Sequence, residues 1–272
     1  MTMAAAVVLV GCGNMGRAML EGWLAAGRLT AGEALVVEPA EVLRAKAAAL
    51  GVTALADAGE IGADERPRLI VFAVKPQVIL DIVPAYARFK ESATYVSIAA
   101  GTPVAAFQRL LGDDAAIVRC MPNTPAAIGK GMMVTFANSQ VTQDAAGFVR
   151  ALLSASGRVA EVSDEALMDA VTAVSGSGPA YVFHFIECLT AAAEAAGLPA
   201  ETAKLLAMQT VYGAAALAEA SGEEPGELRR QVTSPNGTTA AALSVLMGED
   251  RLKTLLTEAV EAARARSVEL GG

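Results

Sequence analysis

The stretch AVVLVGCGNMG, residues 6–16, constrains this chain more than any other. Its run of β-branched residues and leucine has no polar face. As a strand it must therefore be covered on both sides, as in a parallel sheet packed between helices. The run stops at glycines, and a helix-like segment, MGRAMLEGWLAAG (15–27), follows at once. In such a strand–turn–helix the first glycine permits the tight bend. The second lets a pyrophosphate approach the backbone, and the third lets helix and strand pack closely. Gly11, Cys12, Gly13, Asn14, Met15 and Gly16 are therefore expected to cradle a dinucleotide at a helix N-terminus, where free N–H groups attract anions. A plain tight turn is the competing reading, because the glycine pattern is short.

The same rhythm continues. ALVVE (34–38), LIVFAV (69–74), TYVSIA (94–99), AIVRCM (116–121) and MMVTFA (132–137) read as further strands between helical stretches. Beyond about residue 160 the strands stop. PAYVFHFIECLTAAAEAAG (179–197) opens on Pro and ends on Gly, as helices do, and is apolar around most of its circumference. ETAKLLAMQTVYGAAALAEA (201–220) and LKTLLTEAVEAARARSVEL (252–270) are further long helices. The fold class expected is α/β: a Rossmann-type domain with a mostly parallel sheet over 1–162, then an all-α domain over 163–272. A helix that is apolar nearly all round must be buried. In a domain of only about 110 residues a second copy of the chain is the expected cover, and the helical domain is expected to dimerise.

Composition removes several function classes. Acidic residues outnumber basic ones by 29 − 21 = 8, and no basic stripe offers a phosphate backbone a cationic face, so nucleic acid is not an expected partner. One histidine, His184, argues against a histidine-based metal site, and no metal is expected. Three scattered cysteines, Cys12, Cys120 and Cys188, suit a reducing compartment. No apolar run reaches the roughly 18–20 residues needed to span a bilayer, and the apolar start reads as a strand rather than a leader. A cytoplasmic protein is expected.

Other candidate residues gather at strand ends. Glu38 closes the second strand about 20 residues beyond the glycines, where a carboxylate hydrogen-bonds a ribose 2′-hydroxyl and would repel a 2′-phosphate. It points to NADH over NADPH; an ordinary solvated strand end is the alternative. Ala73, Val74, Lys75 and Pro76 form one loop at a predicted C-terminal strand edge, and SIAAG (97–101) with Ala99 forms another. MPNTPA (121–126), with Asn123, makes a stiff third loop between two prolines. All are candidate cofactor contacts, although Lys75 could equally face water.

The stretch VTSPNGTTAAAL (232–243) crowds small polar groups immediately before an apolar helix. As local structure alone it would be a capped helix, with Ser234 or Thr238 as the cap. GCGNMG, AVKP, MPNTPA, VSGSGPAY and VTSPNGTT in this order resemble the pyrroline-5-carboxylate reductase family over essentially the whole chain. That resemblance implies reduction of a small cyclic imino acid, 1-pyrroline-5-carboxylate, to L-proline with NADPH or NADH, the closing step of proline biosynthesis. It implies a homodimer, which in the family often assembles further into a ring of dimers. It further implies that Gly237, Thr238 and Thr239, with Ser234, hold the substrate carboxylate on backbone N–H groups, and that the Thr239 hydroxyl reaches the ring nitrogen and is the catalytic residue. Ser177, and less so Ser175, would lie near nicotinamide and substrate. The commoner family form SPGGTT is replaced by one with Asn236, a residue that tolerates the left-handed backbone.

Hydride transfer to an iminium carbon needs little acid catalysis, which suits a chain whose histidine, on an apolar helix beside Tyr181, is expected in a core. Two other readings compete. One is a hydroxyacid reductase with Lys75 as acid; the other is a non-catalytic dinucleotide sensor.

Overall fold

The computed structural model describes residues 5–271. The chain runs β1 (Val7–Val10), α1 (Asn14–Ala25), β2 (Ala34–Val37), α2 (Glu41–Ala48), β3 (Thr53–Leu55), β4 (Leu69–Phe72) and α3 (Pro76–Ile82). It continues through β5 (Thr94–Ser97), α4 (Val104–Leu111), β6 (Ile117–Met121), β7 (Gly131–Ala137), α5 (Gln143–Leu153) and β8 (Gly157–Glu161). Beyond the last strand come α6 (Met168–Val171), a π-helical turn (Thr172–Gly176), α7 (Gly178–Ala195), α8 (Ala200–Ser221), α9 (Pro225–Gln231), α10 (Thr238–Met247) and α11 (Arg251–Gly271). Compactness divides the chain into one unit that ends at Ser177 and takes in the residues from Ala263 onward, and a second from Gly178 to Ala262.

In the first unit the eight strands form one sheet in the order β3-β2-β1-β4-β5-β6-β7-β8. All neighbouring strands are parallel except the antiparallel pair β6/β7. The pleat sends alternate residues to opposite faces, and both faces are filled. Val8, Val10, Ile70, Phe72 and Tyr95 pack with Ile79, Val104 and Phe107 on one side. Val7, Leu9, Val71, Val96 and Val118 pack with Met19, Leu20, Trp23, Val149 and Leu152 on the other. Phe72 centres the first layer, edge-on to Tyr86 at 5.4 Å and stacked on Tyr95 at 6.2 Å between ring centroids. Trp23 lies buried in the second layer, and its indole N–H has no protein partner.

The parallel sheet is as the hydrophobic runs foretell, but β3 and β8 were not expected. Both are edge strands with half-exposed residues and no continuous apolar run. The expected division at 162/163 marks the end of the strands at Glu161, whereas compactness carries the first unit on to Ser177. The reason is local: Ser267 donates to Asp169 at 2.6 Å, and a Cβ on Gly271 would fall 2.5 Å from the Gly101 oxygen. These close approaches bind α6 and the end of α11 to the sheet unit.

The second unit is helical throughout. Of its residues only Ala203 and Ala207 are buried. Phe183, Leu205, Tyr212, Val245 and Leu255 lie open, and an apolar groove of about 760 Å³ runs along Leu243, Leu246, Leu252, Leu256 and Val260. Among the described residues no helix is long and apolar enough to cross a membrane.

Candidate functional site

Strand order reverses between β1 and β4, so their connections leave to opposite sides and open a crevice at the carboxyl ends of the strands. A cleft of about 520 Å³ lies there, lined by Gly11, Gly13, Glu38, Ala73, Val74 and Lys75 among others. Each glycine has its own reason. Gly11 takes φ +89°, and a Cβ on it would fall 2.7 Å from the Ala73 oxygen. A Cβ on Gly16 would fall 2.3 Å from the Gly11 oxygen, so only glycine lets α1 sit this close to the turn. In front of Gly13 there is nothing within 4 Å, which leaves its backbone open to a ligand.

Gly13 is the N-cap of α1. No side chain caps the helix, and its first turn carries no acid. The first backbone bond, Arg17 N–H to the Gly13 oxygen at 2.9 Å, leaves the N–H groups of Asn14, Met15 and Gly16 without helical partners. An open glycine backbone and an uncapped helix start fit a pyrophosphate.

Glu38 is buried at 6% exposure. Its carboxylate accepts the Cys12 N–H at 2.7 Å and the Ala40 N–H at 2.9 Å, which pins it between the glycine turn and the start of α2. A carboxylate has about four acceptor positions, so two remain for a ligand. The Arg44 guanidinium donates to the Glu38 and Pro39 carbonyls at 3.0 and 2.8 Å. Burial, with the Glu38 charge adding to it, pushes the Cys12 thiol up to about 11, so it stays neutral beside the cleft.

Lys75 is the exposed N-cap of α3, and Pro76 occupies that helix's first turn. Ala99 is buried beyond β5, its N–H on Ser97 Oγ at 3.2 Å. MPNTPA is not wholly loop: Met121 ends β6, and Thr124–Ile128 form a 3-10 turn set by Pro125. The Asn123 amide is spent on protein groups. Its Oδ1 accepts the Met132 N–H at 2.8 Å, and its Nδ2 donates to the Ser175 carbonyl at 3.2 Å. VSGSGP, expected as a loop or joint, is divided between the end of the π-helical turn and the start of α7 at Gly178, with the turn closed by the Ser177 N–H on the Thr172 oxygen at 2.8 Å.

Among the cleft residues that the sequence reading missed are Asp57 and Tyr86. Asp57 follows β3, a three-residue strand without a hydrophobic signal. Tyr86 looks like ordinary core; it lines the cleft while its carbonyl accepts the Tyr95 hydroxyl at 2.9 Å.

In the second unit Gly237 is the N-cap of α10, a helix with no side-chain cap and no acid in its first turn. Neither Ser234 nor Thr238 caps it, contrary to the local alternative. The turn is tight: the Gly237 N–H reaches the Ser234 oxygen at 3.1 Å, and a Cβ on Gly237 would fall 2.4 Å from Ser234 Oγ. Asn236 takes φ 60°, so it does adopt the left-handed backbone. Ser234 and Thr238 are exposed, while Gly237 and Thr239 are half-buried. The first helical bond, Ala241 N–H to the Gly237 oxygen, leaves the N–H groups of Thr238, Thr239 and Ala240 for an anion.

His184 corrects an expectation. It is no core residue within the chain: its side chain is 74% exposed, with Nδ1 3.1 Å from Glu187 Oε2. The apolar pattern of α7 demands cover, and the chain's own second unit does not supply it. Cys12, Cys120 and Cys188 are free thiols. No cluster of metal-capable side chains occurs among the described residues.

Comparison with known proteins agrees along the whole chain. Residues 165–270 match the family model described as pyrroline-5-carboxylate reductase dimerisation, and residues 6–101 match that described as NADP oxidoreductase, coenzyme F420-dependent. The pyrroline-5-carboxylate reductase of Pseudomonas aeruginosa is 41% identical over 97% of this chain and 96% of its own length. A pyrroline-5-carboxylate reductase structure from Coxiella burnetii superposes with a TM-score of 0.92 at 33% identity, covering 99% of this chain and 100% of that one. The Plasmodium falciparum pyrroline carboxylate reductase, solved with NADP bound, gives a TM-score of 0.84 at 28% identity over the full length of both chains. With these relatives over nearly all its length, beside a cleft at the switch point of its sheet and an uncapped helix start, the chain belongs to the pyrroline-5-carboxylate reductase family, an NAD(P)-dependent oxidoreductase family.

Proposed function

We propose that the chain reduces 1-pyrroline-5-carboxylate to L-proline, and that it prefers NADH to NADPH. The reading leans most on the start of α10, a set of free N–H groups of a size to hold one carboxylate, next in sequence to hydroxyls suited to a ring nitrogen. The bound dinucleotide supplies the hydride; the rest is positioning by the chain. In this reading the turn from Gly11 to Gly16 holds the pyrophosphate, with Ala73, Val74, Lys75, Pro76 and Ala99 along the cofactor's course. The buried Glu38 carboxylate accepts a ribose 2′-hydroxyl on its remaining acceptor positions. A 2′-phosphate there would face a carboxylate that cannot move away, which is the basis of the NADH preference.

On the substrate side, the Gly237, Thr238 and Thr239 backbone, with Ser234, holds the carboxylate, a gain of about 0.3–2 kcal/mol from the helix end. Thr239 is the catalytic residue: its hydroxyl hydrogen-bonds the ring nitrogen while the adjacent carbon takes the hydride. A nitrogen that arrives protonated needs no further acid, and the rate comes from orientation. The protein acts in the cytoplasm as a homodimer, the building block of a ring of dimers in the same reading.

The test is oxidation of NADH and NADPH, side by side, with racemic pyrroline-5-carboxylate. Rapid NADH turnover is expected. Turnover with NADPH alone would keep the reductase and remove the NADH preference. No turnover with either would leave a dinucleotide sensor or a hydroxyacid reductase. Glu38→Ser is expected to lower the NADH-to-NADPH ratio of kcat/KM by about 10–100-fold, the worth of one charged hydrogen bond. An unchanged ratio would remove Glu38 as the ribose reader.

A further inference from the structure

The π-helical turn Thr172–Gly176 is an irregular feature between two α-helices. Such turns shift the helical register and free backbone groups that must be satisfied elsewhere. Here two neighbours hold the turn. Met121, at the end of β6, lies so close that a Cβ on Gly176 would sit 2.3 Å from its terminal methyl. Asn123, two residues on, donates from Nδ2 to the Ser175 carbonyl at 3.2 Å and to the Ser175 hydroxyl at 3.4 Å. The same amide accepts the Met132 N–H at 2.8 Å, at the start of β7. An asparagine amide has two N–H donors and one oxygen. Nδ2 is engaged at Ser175, at the carbonyl and more loosely at the hydroxyl, and one of the oxygen's two acceptor positions is taken by the sheet.

We infer that Asn123 is a positioning residue: its amide joins β7 to the π-helical turn at Ser175 and so fixes the backbone that presents Ser175 and Ser177, without itself contacting the dinucleotide. The inference rests on the proposed reductase reading only for its effect on turnover. The structural tie stands apart from it.

The test uses Asn123→Ala and, as a milder change that puts a short hydroxyl in place of the amide, Asn123→Ser. Amide hydrogen exchange on the apo protein is the first readout. Exchange at Gly176 and Ser177 should accelerate at least about tenfold while β1 and β4 amides stay protected. With NADH and pyrroline-5-carboxylate, kcat should fall about 10–100-fold, with the dinucleotide Kd within about twofold of the parent. Unchanged exchange at Gly176 and Ser177 would overturn the tie. A Kd raised tenfold or more would overturn the positioning role in favour of direct cofactor contact. If the parent chain shows no turnover, the reductase reading fails, and exchange with dinucleotide affinity still decides the role of Asn123.

Discussion

The two units of this chain spend their apolar residues differently. In the first, Val7 to Val10 are all buried, and both faces of the sheet close over filled layers. In the second, helices of similar hydrophobicity bury only Ala203 and Ala207, while Phe183, Leu205, Tyr212 and Leu255 remain open. A large apolar side chain left in water forgoes about 1.5–3 kcal/mol, and monomers seldom leave many together. The first unit is complete as one chain. The second has the surface of half an object, in keeping with its match to the family's dimerisation domain.

The harshest way to break this comparison is to charge the open face. Leu205→Arg with Tyr212→Arg places two cations on one side of α8, and a two-fold interface counts each change twice. At about 1.5–3 kcal/mol per side chain, sedimentation should show a monomer, with much of the helical signal lost. A dimer that persists would mean that this face is covered in some other way.

The next test turns to the complete unit. In Gly16→Ala the new methyl group would lie 2.3 Å from the Gly11 oxygen. Overpacking of about 1–3 kcal/mol should lower the thermal midpoint by roughly 2–12 °C, and dinucleotide affinity should fall more than tenfold. A variant that binds NADH normally would show the turn to be looser than its packing indicates.

Thr239→Ala probes the equivalent helix start in the open unit. Thr239 is half-buried, so stability should change by less than about 1 kcal/mol, while kcat falls about 10–100-fold with dinucleotide Kd unchanged. Near-full turnover would remove Thr239 from the chemistry.

An effect confined to alkaline pH, and absent near neutrality, belongs to the buried thiols of the first unit. Burial pushes Cys12 up to about 11 and Cys120 up to about 12, from an ordinary 9.0. Above pH 9 the unfolded chain therefore loses these protons first and the folded chain holds them. Stability should decline as pH rises from 9 toward 11–12. Melting curves of Cys12→Ala and Cys120→Ala should show a shallower alkaline decline than the parent; an identical slope would assign the decline to other groups.

What could be read in advance follows the same divide. Val7–Val10, the glycines after them and the carboxylate at Glu38 were legible because buried parallel strands and tight turns leave strong local signals. β3 and β8 were not, since edge strands such as Thr53–Leu55 need no apolar run. His184 was misjudged for another reason. The apolar pattern of α7 says that it must be covered but not by which chain. The partners of Asn123 were invisible, because they depend on a π-helical turn some 50 residues away, and no periodicity announces that. At the start of α10 the motif already pointed to Asn236 as a residue suited to a left-handed backbone, whereas the missing cap needed coordinates.

Trp23 gives the first unit its own light. It is the chain's single tryptophan, and it sits buried on α1, the helix whose N-cap Gly13 lines the cleft. Its emission therefore reports on one unit alone, and its apolar surroundings should place that emission toward the blue. A red shift during denaturation would time the opening of the sheet layer, while circular dichroism follows helices in both units. The interval between the two signals would show whether the open helical unit comes apart before the closed one.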